Sequence, residues 1–534
     1  MKRFLIYLVI HVILWTIINF FLTPNGDLII IQTMFLVTLI VTTIIKVAKM
    51  KKNKEDINYH YEYLGSDFED FVAWLLLPAA IVGVILGGSA LINGPMIRSG
   101  SYMNQIKPEE KEFTQVLDEF DVNTVQVLDA NAAKSLGDRT FGEIGADKIS
   151  QFAVSDIYTQ QVYKGKLVRV TPAEYSGLGA ALNGAGTPGY IIVDVVTGEA
   201  NFVKTEKPMQ YVLTGAFSYK LNRYVRGKNL FERFYSNRWR FEIDNNGNPY
   251  YITTIYGYQG ILNAPMPKGI LMVDPITGTI NKYSLDDVPT WVDIVYTAQD
   301  ILKEYRNYGK YQNGWWNSIF AKKGVLSTTD DYSYLKKDNQ LYLYTGITSV
   351  SNDESNVGFI YTNLRTQETS YISCVGAEEY SAKSAAEGAV QEKGYTAVFP
   401  TLVRVNNAPT YFLSLKDKTG LIKAYAFVDV VDYTKVKVSE AEQGVENALN
   451  NYKKLLDGKN IDSTNKETTK KEIVIKNIVG YSVEGNTVFY IEDTENNRYI
   501  ADISISNNLP FIHSNDKIVI ECTTKDVAVI TKIY

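Results

Sequence analysis

The chain has 534 residues, a formal net charge of −5, three histidines and two cysteines. That length makes several domains the expectation, and so mild a charge suggests neither a nucleic-acid protein nor an acidic-tail protein. Cys374 and Cys522 are too few for a disulfide-stapled scaffold, and His513 is the one histidine beyond the first 93 residues, which argues against zinc sites and Ser-His-Asp or Cys-His hydrolases.

Three apolar runs open the chain, Phe4 to Leu22, Leu28 to Ile45 and Phe71 to Ile92, and no Asp, Glu, Lys or Arg interrupts them. Each is close to the roughly 20 residues that a helix needs to cross hydrocarbon. A cleaved signal peptide is the alternative for the first run, but no A-x-A-like site follows Leu22 and a second run begins almost at once. Lys2 and Arg3 precede the first run, and Lys46, Lys49, Lys51, Lys52 and Lys54 follow the second. By the positive-inside rule both basic ends are cytoplasmic, which predicts a multi-pass cell-membrane protein with residues from about 94 onward outside. Gly83 and Gly87 are spaced for close helix approach, within this chain or in a homo-oligomer formed through the membrane helices. His11 and Asn19 read as hydrogen-bonded packing residues.

Beyond this three-helix anchor (1–93) a juxtamembrane helical segment is expected over 94–150. Pro108, Glu109 and Glu110 look like a helix start, and Phe113, Val116, Leu117 and Phe120 follow at helical spacing. Next comes a repeat. Gly189-Tyr-Ile-Ile-Val193-Asp194-Val-Val-Thr197-Gly198 returns as Gly269-Ile-Leu-Met-Val273-Asp274-Pro-Ile-Thr277-Gly278, and in degraded form as Gly358-Phe-Ile-Tyr-Thr362-Asn363-Leu-Arg-Thr366-Gln367. Each copy is a strand ending in a turn, where Asp bonds forward to backbone amides and Gly supplies positive φ. Hairpin signals precede the copies at Gly165, at Asp244 to Gly247 and at Asn339, and a fourth unit runs through Asn406, Thr419-Gly420 and Ala424 to Asp429. An alanine-rich helix is expected from Glu378 to Gln391, before that unit, and another from Glu440 to Leu456.

With its helix-then-hairpin order and its Val193-Asp194, Thr197-Gly198, Val273-Asp274 and Thr277-Gly278 turns, the region from about 150 to 440 resembles the PepSY domain family. The resemblance implies units of a helix and an antiparallel sheet, and binding or restraint of other proteins. Two such units are expected over 151–290 and two over 291–456. A polar linker (457–471) and a small β-barrel of OB or SH3-like type (472–534) complete a multidomain α+β chain.

Between Lys220 and Arg240, the basic residues Arg223, Arg226, Arg233, Arg238 and Arg240 are interleaved with aromatics that include Trp239. Such a run either holds an anionic polymer or lipid headgroups or is a solvated face whose aromatics fill the core. Trp315 and Trp316 form a second candidate contact, for a partner or for the core. Asp244 to Asn248 lacks the closing Glu of a calcium loop, and Gly177 to Leu182 lacks the third glycine of a dinucleotide loop. No catalytic, cofactor or metal residues stand out. The expected function is non-enzymatic binding, scaffolding or regulation in the bacterial envelope, with the lipid bilayer and other envelope proteins as partners and no nucleic acid. The rivals are an envelope glycan hydrolase or Ser-Lys peptidase, and a membrane subunit of a translocation assembly.

Overall fold

The computed structural model describes residues 2–21, 26–54, 67–142, 150–349, 352–457, 468–483, 486–502, 505–506, 509–523 and 527–533. Helices α1 (Lys2–Phe21), α2 (Gly26–Lys54) and α3 (Asp67–Asn93) come first, followed by the short α4 (Pro95–Met103). Among the described residues two helices are long and apolar enough to cross a membrane, over Gly26–Lys49 and Leu76–Asn93. This corrects the expectation of three spans. Within α1 the described residues give the shorter apolar stretch Leu8–Asn19. Asn19 donates to Gln32 of α2 at 3.2 Å, and Trp74 of α3 donates to Thr43 of α2 at 2.8 Å.

The juxtamembrane helix expected through Phe120 is also corrected. Strand β1 (Pro108–Glu110) runs parallel to a strand at Thr369–Tyr371, and the helical part shrinks to α5 (Phe113–Val116), capped by the side chains of Glu112 and Gln115. Backbone pairing with a distant strand outweighs the local helical spacing. Helix α6 (Ala130–Gly142) follows.

The rest of the first compact unit, which ends at residue 449, is four sheets, each preceded by a helix. After α6 come β2 (Phe152–Val154), β3 (Thr159–Tyr163), β4 (Lys166–Tyr175), α7 (Leu178–Asn183), β5 (Thr187–Asp194) and β6 (Ala200–Met209). Helix α8 (Leu221–Lys228) leads to β7 (Arg240–Ile243), β8 (Pro249–Gln259), β9 (Asn263–Val273) and β10 (Ile280–Ser284). Helices α9 (Ala298–Tyr311) and α10 (Gly314–Ile319) precede β11 (Leu326–Thr328), β12 (Ser333–Lys337), β13 (Gln340–Ser349), β14 (Asn352–Asn363) and β15 (Thr369–Ala377). Helix α11 (Glu379–Gly388) precedes β16 (Thr396–Ala397), β17 (Thr401–Val405), β18 (Ala408–Lys416), β19 (Ile422–Asp429) and β20 (Val436–Glu440). All pairings within these sheets are antiparallel except that of β1 with β15. The fold class is thereby corrected in its balance too, because strands dominate the region beyond the apolar helices.

The sheets do not keep separate cores. One cluster joins Val168 and Tyr190 of the first sheet to Phe241, Tyr251 and Leu271 of the second. Another joins Tyr344 and Phe359 of the third to Tyr411 and Ala426 of the fourth. A third runs from Ile191 through Ile270 and Ile301 to Leu343 and Ile360.

Helix α12 (Gly444–Asp457) closes this part of the sequence, and the expected linker falls mostly on residues 458–467, outside the described residues. The second unit contains β21 (Thr468–Val483), β22 (Asn486–Asp493), β23 (Arg498–Asp502), β24 (Lys517–Thr523) and β25 (Val527–Ile533). They close a barrel in the order β21-β22-β23-β25-β24, with β23 and β25 parallel, around Ile475, Ile491, Ala501, Ile520 and Ile530.

Candidate functional site

A cleft of about 330 Å³ opens where the segment before α6, strand β4, the start of β12 and strand β18 meet. Its walls include Tyr332, Tyr334, Phe399 and Phe412, together with Arg169. Arg169 lies inside an apolar run, Leu167 to Val170, on a strand buried at every residue after Lys166. It is 8% exposed. One terminal nitrogen makes a long 3.5 Å contact with the Tyr158 carbonyl, and its Nε is buried with no hydrogen-bond partner. Burial lowers the guanidinium pKa, while Tyr334 and Asp129 pull it back up. A buried cation with a spare donor in an aromatic-lined cleft is suited to an anionic group.

Several polar side chains in or beside the cleft are committed to structure. Ser414 donates to the Val127 carbonyl at 2.8 Å, and Lys416 pairs with Asp129 at 2.6 Å. Asp129 also accepts the Ala132 amide at 2.9 Å at the start of α6, and Asp331 accepts the Tyr332 amide at 2.9 Å. Carboxyls pushed up by burial lie elsewhere in the core. Glu242 reaches about 7, Asp293 about 8, Glu304 about 8 and Glu379 about 7. Among the described residues no group of three His, Cys, Asp or Glu is placed to hold a metal ion.

The basic run is not brought together as one face. Arg226 is 2% exposed and donates to the carbonyls of Asn229, Leu230, Glu232 and Phe234, with its guanidinium 3.9 Å from the Phe234 ring centroid. Burial brings it down to about 10. Arg240 is buried beside Glu242 and donates to Thr254, and buried Trp239 donates to Asn222 at 2.6 Å. Arg238 bonds Asp300 and Tyr256, Arg233 lies over the Tyr258 ring, and Arg223 donates to the Phe217 carbonyl. These residues tie the α8–β7 connection to its surroundings, with Arg226 and Arg240 buried and Arg223, Arg233 and Arg238 half-buried.

Trp315 and Trp316 stand on α10, where Trp316 stacks on Phe320 at 5.7 Å. Among the described residues, side chains added at Gly83 or Gly87 would meet nothing within 4 Å. Gly83 instead lines an apolar cleft of about 530 Å³ among α1, α2 and α3, together with His11 and Gln32. Sequence reasoning missed Arg169, for which the signal was an arginine inside an otherwise apolar strand.

No family model and no curated protein matches this sequence. Among solved structures, a mutant Synechocystis apocarotenoid oxygenase aligns at 9% identity and a TM-score of 0.13, covering 53% of this chain and 50% of that one. This chain thus spans about half the length of that oxygenase. A mutant B. megaterium levansucrase aligns at 8% identity and a TM-score of 0.16, over 78% of this chain and 98% of that one. A polysaccharide lyase aligns at 10% identity and a TM-score of 0.15, over 77% and 80%. Likenesses this slight assign neither a shared fold nor a shared activity.

Proposed function

We propose that this protein is a membrane-anchored component of the bacterial envelope whose extracytoplasmic region binds and positions a partner rather than catalysing a reaction. The observation that carries the reading is the cleft, in which Arg169 has a donor to spare while Ser414 and Asp129 of its walls are already engaged. A helix before each of the four sheets supports keeping the PepSY likeness within this proposal.

The membrane orientation rests on how the outer ends of α2 and α3 are held. Tyr258 donates to Asp27 at 2.6 Å, and Ser89 donates to Asn263 at 3.0 Å, so the β8–β9 hairpin touches the beginning of one helix and the end of the other. Lys46 and Lys49 lie toward the opposite end of α2. Lysines retained in the cytoplasm put the sheets outside.

The test uses the full-length protein in native membranes with a photoreactive residue in place of Tyr332. A discrete adduct that Arg169→Ala abolishes and Arg169→Lys weakens is expected. Hydrolysis of envelope glycan or peptide by the purified protein, abolished by substituting Asp129, Asp331 or Ser414, would overturn the proposal.

A further inference from the structure

We infer that the face of the sheet region nearest α2 and α3 rests in the lipid headgroup layer, with Trp316, Phe320 and Phe231 as its membrane-contacting side chains. The inference rests on the proposed reading that α2 and α3 cross the bilayer. It adds a second, peripheral contact with the same membrane.

Helix α3 ends at Asn93, and α4 begins at Pro95 and is kinked at Arg98. The kink lets the Tyr102 hydroxyl return to the Asn93 carbonyl at 3.1 Å, while the Tyr102 ring lies edge-on to Tyr311, 6.2 Å between centroids. Tyr311 is the last residue of α9, and α10 packs on α4. The α10 helix is therefore held beside the end of the span.

Its exposed side is apolar: Trp316 is 60% exposed, Phe320 73%, and Ile319 is exposed as well. Met96 and Ile97 of α4 extend the apolar surface toward Leu91 and Ile92 of α3. At the other helix, a side chain added at Gly26 would lie 2.8 Å from the Glu232 carbonyl, so the start of α2 abuts the loop that carries Phe231, itself 64% exposed. Exposed aromatics thus adjoin both helix ends.

Continuity with the spans decides the occupant. Large aromatic side chains favour the interface between headgroups and hydrocarbon. Arg98, Lys322 and Lys323, all exposed, stand where they can reach phosphates while their stems cover apolar surface. A protein partner for the same face is an outcome that the test separates.

The experiment uses full-length protein in vesicles of phosphatidylethanolamine and phosphatidylglycerol, with Cys374 and Cys522 replaced by Ser. An environment-sensitive fluorophore is placed by Phe320→Cys, by Phe231→Cys, by Val431→Cys as an exposed control, or by Val84→Cys within α3. Nitroxide lipids labelled at shallow or deep positions serve as quenchers. The expected result is strong shallow quenching at 320 and 231, deep quenching at 84 and little at 431. Deep quenching at 84 with a water-like, unquenched probe at both 320 and 231 overturns the inference and leaves the spans standing. No quenching at 84, 320 or 231 overturns both.

Discussion

Glu304 shows how far one side chain can set the response to pH. Burial, with Asp300 adding to it and Gln367 opposing it, pushes its carboxyl up to about 8, whereas an unfolded glutamate titrates near about 4.3. The folded chain holds this proton more tightly, so the stabilisation is complete below the unfolded pKa and is lost as pH rises through about 8. Glu242, Asp293 and Glu379 have the same sign. The detergent-solubilised protein is expected to melt at progressively lower temperature from about pH 5 to 8, and Glu304→Gln to flatten that slope. Scanning fluorimetry across pH checks it, and an unchanged slope counts against the assignment. Arg226 gives a second prediction. Arg226→Met strands four carbonyls and is expected to cost about 3 kcal/mol or more in chemical denaturation; a loss below about 1 kcal/mol would show them satisfied otherwise. This burial was not legible in the sequence. A basic run looks the same whether its partners are solvent or the carbonyls of its own downstream loop.

At the scale of elements the sequence is more transparent, because turn chemistry is local. Asp194, Asp274, Asn363 and Asp429 each accept two backbone amides within the next three residues. Asparagine serves in the third unit because only the acceptor oxygen is needed. The first residue of the repeat has a less obvious role. Gly189, Gly269 and Gly358 pair with Lys204, Ser284 and Ser373 of the following strand, and an added side chain would come within 2.0 Å, 2.0 Å and 2.5 Å of a carbonyl oxygen there. Gly269→Ala is therefore expected to lower stability by about 2 kcal/mol, read as a shift in denaturation midpoint, whereas Ala424 occupies the corresponding place opposite Glu440 in the native fourth unit. In the third unit Gln367 sits at φ +67° where the earlier copies have glycine. Its side chain donates to the Gln105 carbonyl and to Glu304, which accounts for the departure from the repeat. The cleft was not legible at this scale, since residues near 128, 169, 332, 399 and 412 meet only once the sheets have packed.

Across the whole molecule, the apolar runs announced a membrane segment but overstated its number of spans: among the described residues, the stretches long and apolar enough to cross are Gly26–Lys49 and Leu76–Asn93. Orientation has a direct test. With both native cysteines replaced by Ser, a membrane-impermeant maleimide is expected to label Leu178→Cys in intact cells and Lys49→Cys only after permeabilisation; the reverse pattern would invert the proposed topology. The latch between the helix ends and the β8–β9 hairpin also has a consequence in time. Ser89 must wait for Ile261 and Asn263, 172 and 174 positions later in the chain. At about 5–20 residues per second this is a delay of roughly 10–30 s during synthesis. Through that interval the first three helices have contacts with one another, such as Trp74 with Thr43 and Asn19 with Gln32, to hold them together. A chain that stalls before the hairpin leaves two unlatched helices in the bilayer, the form that membrane quality control can distinguish from the finished protein.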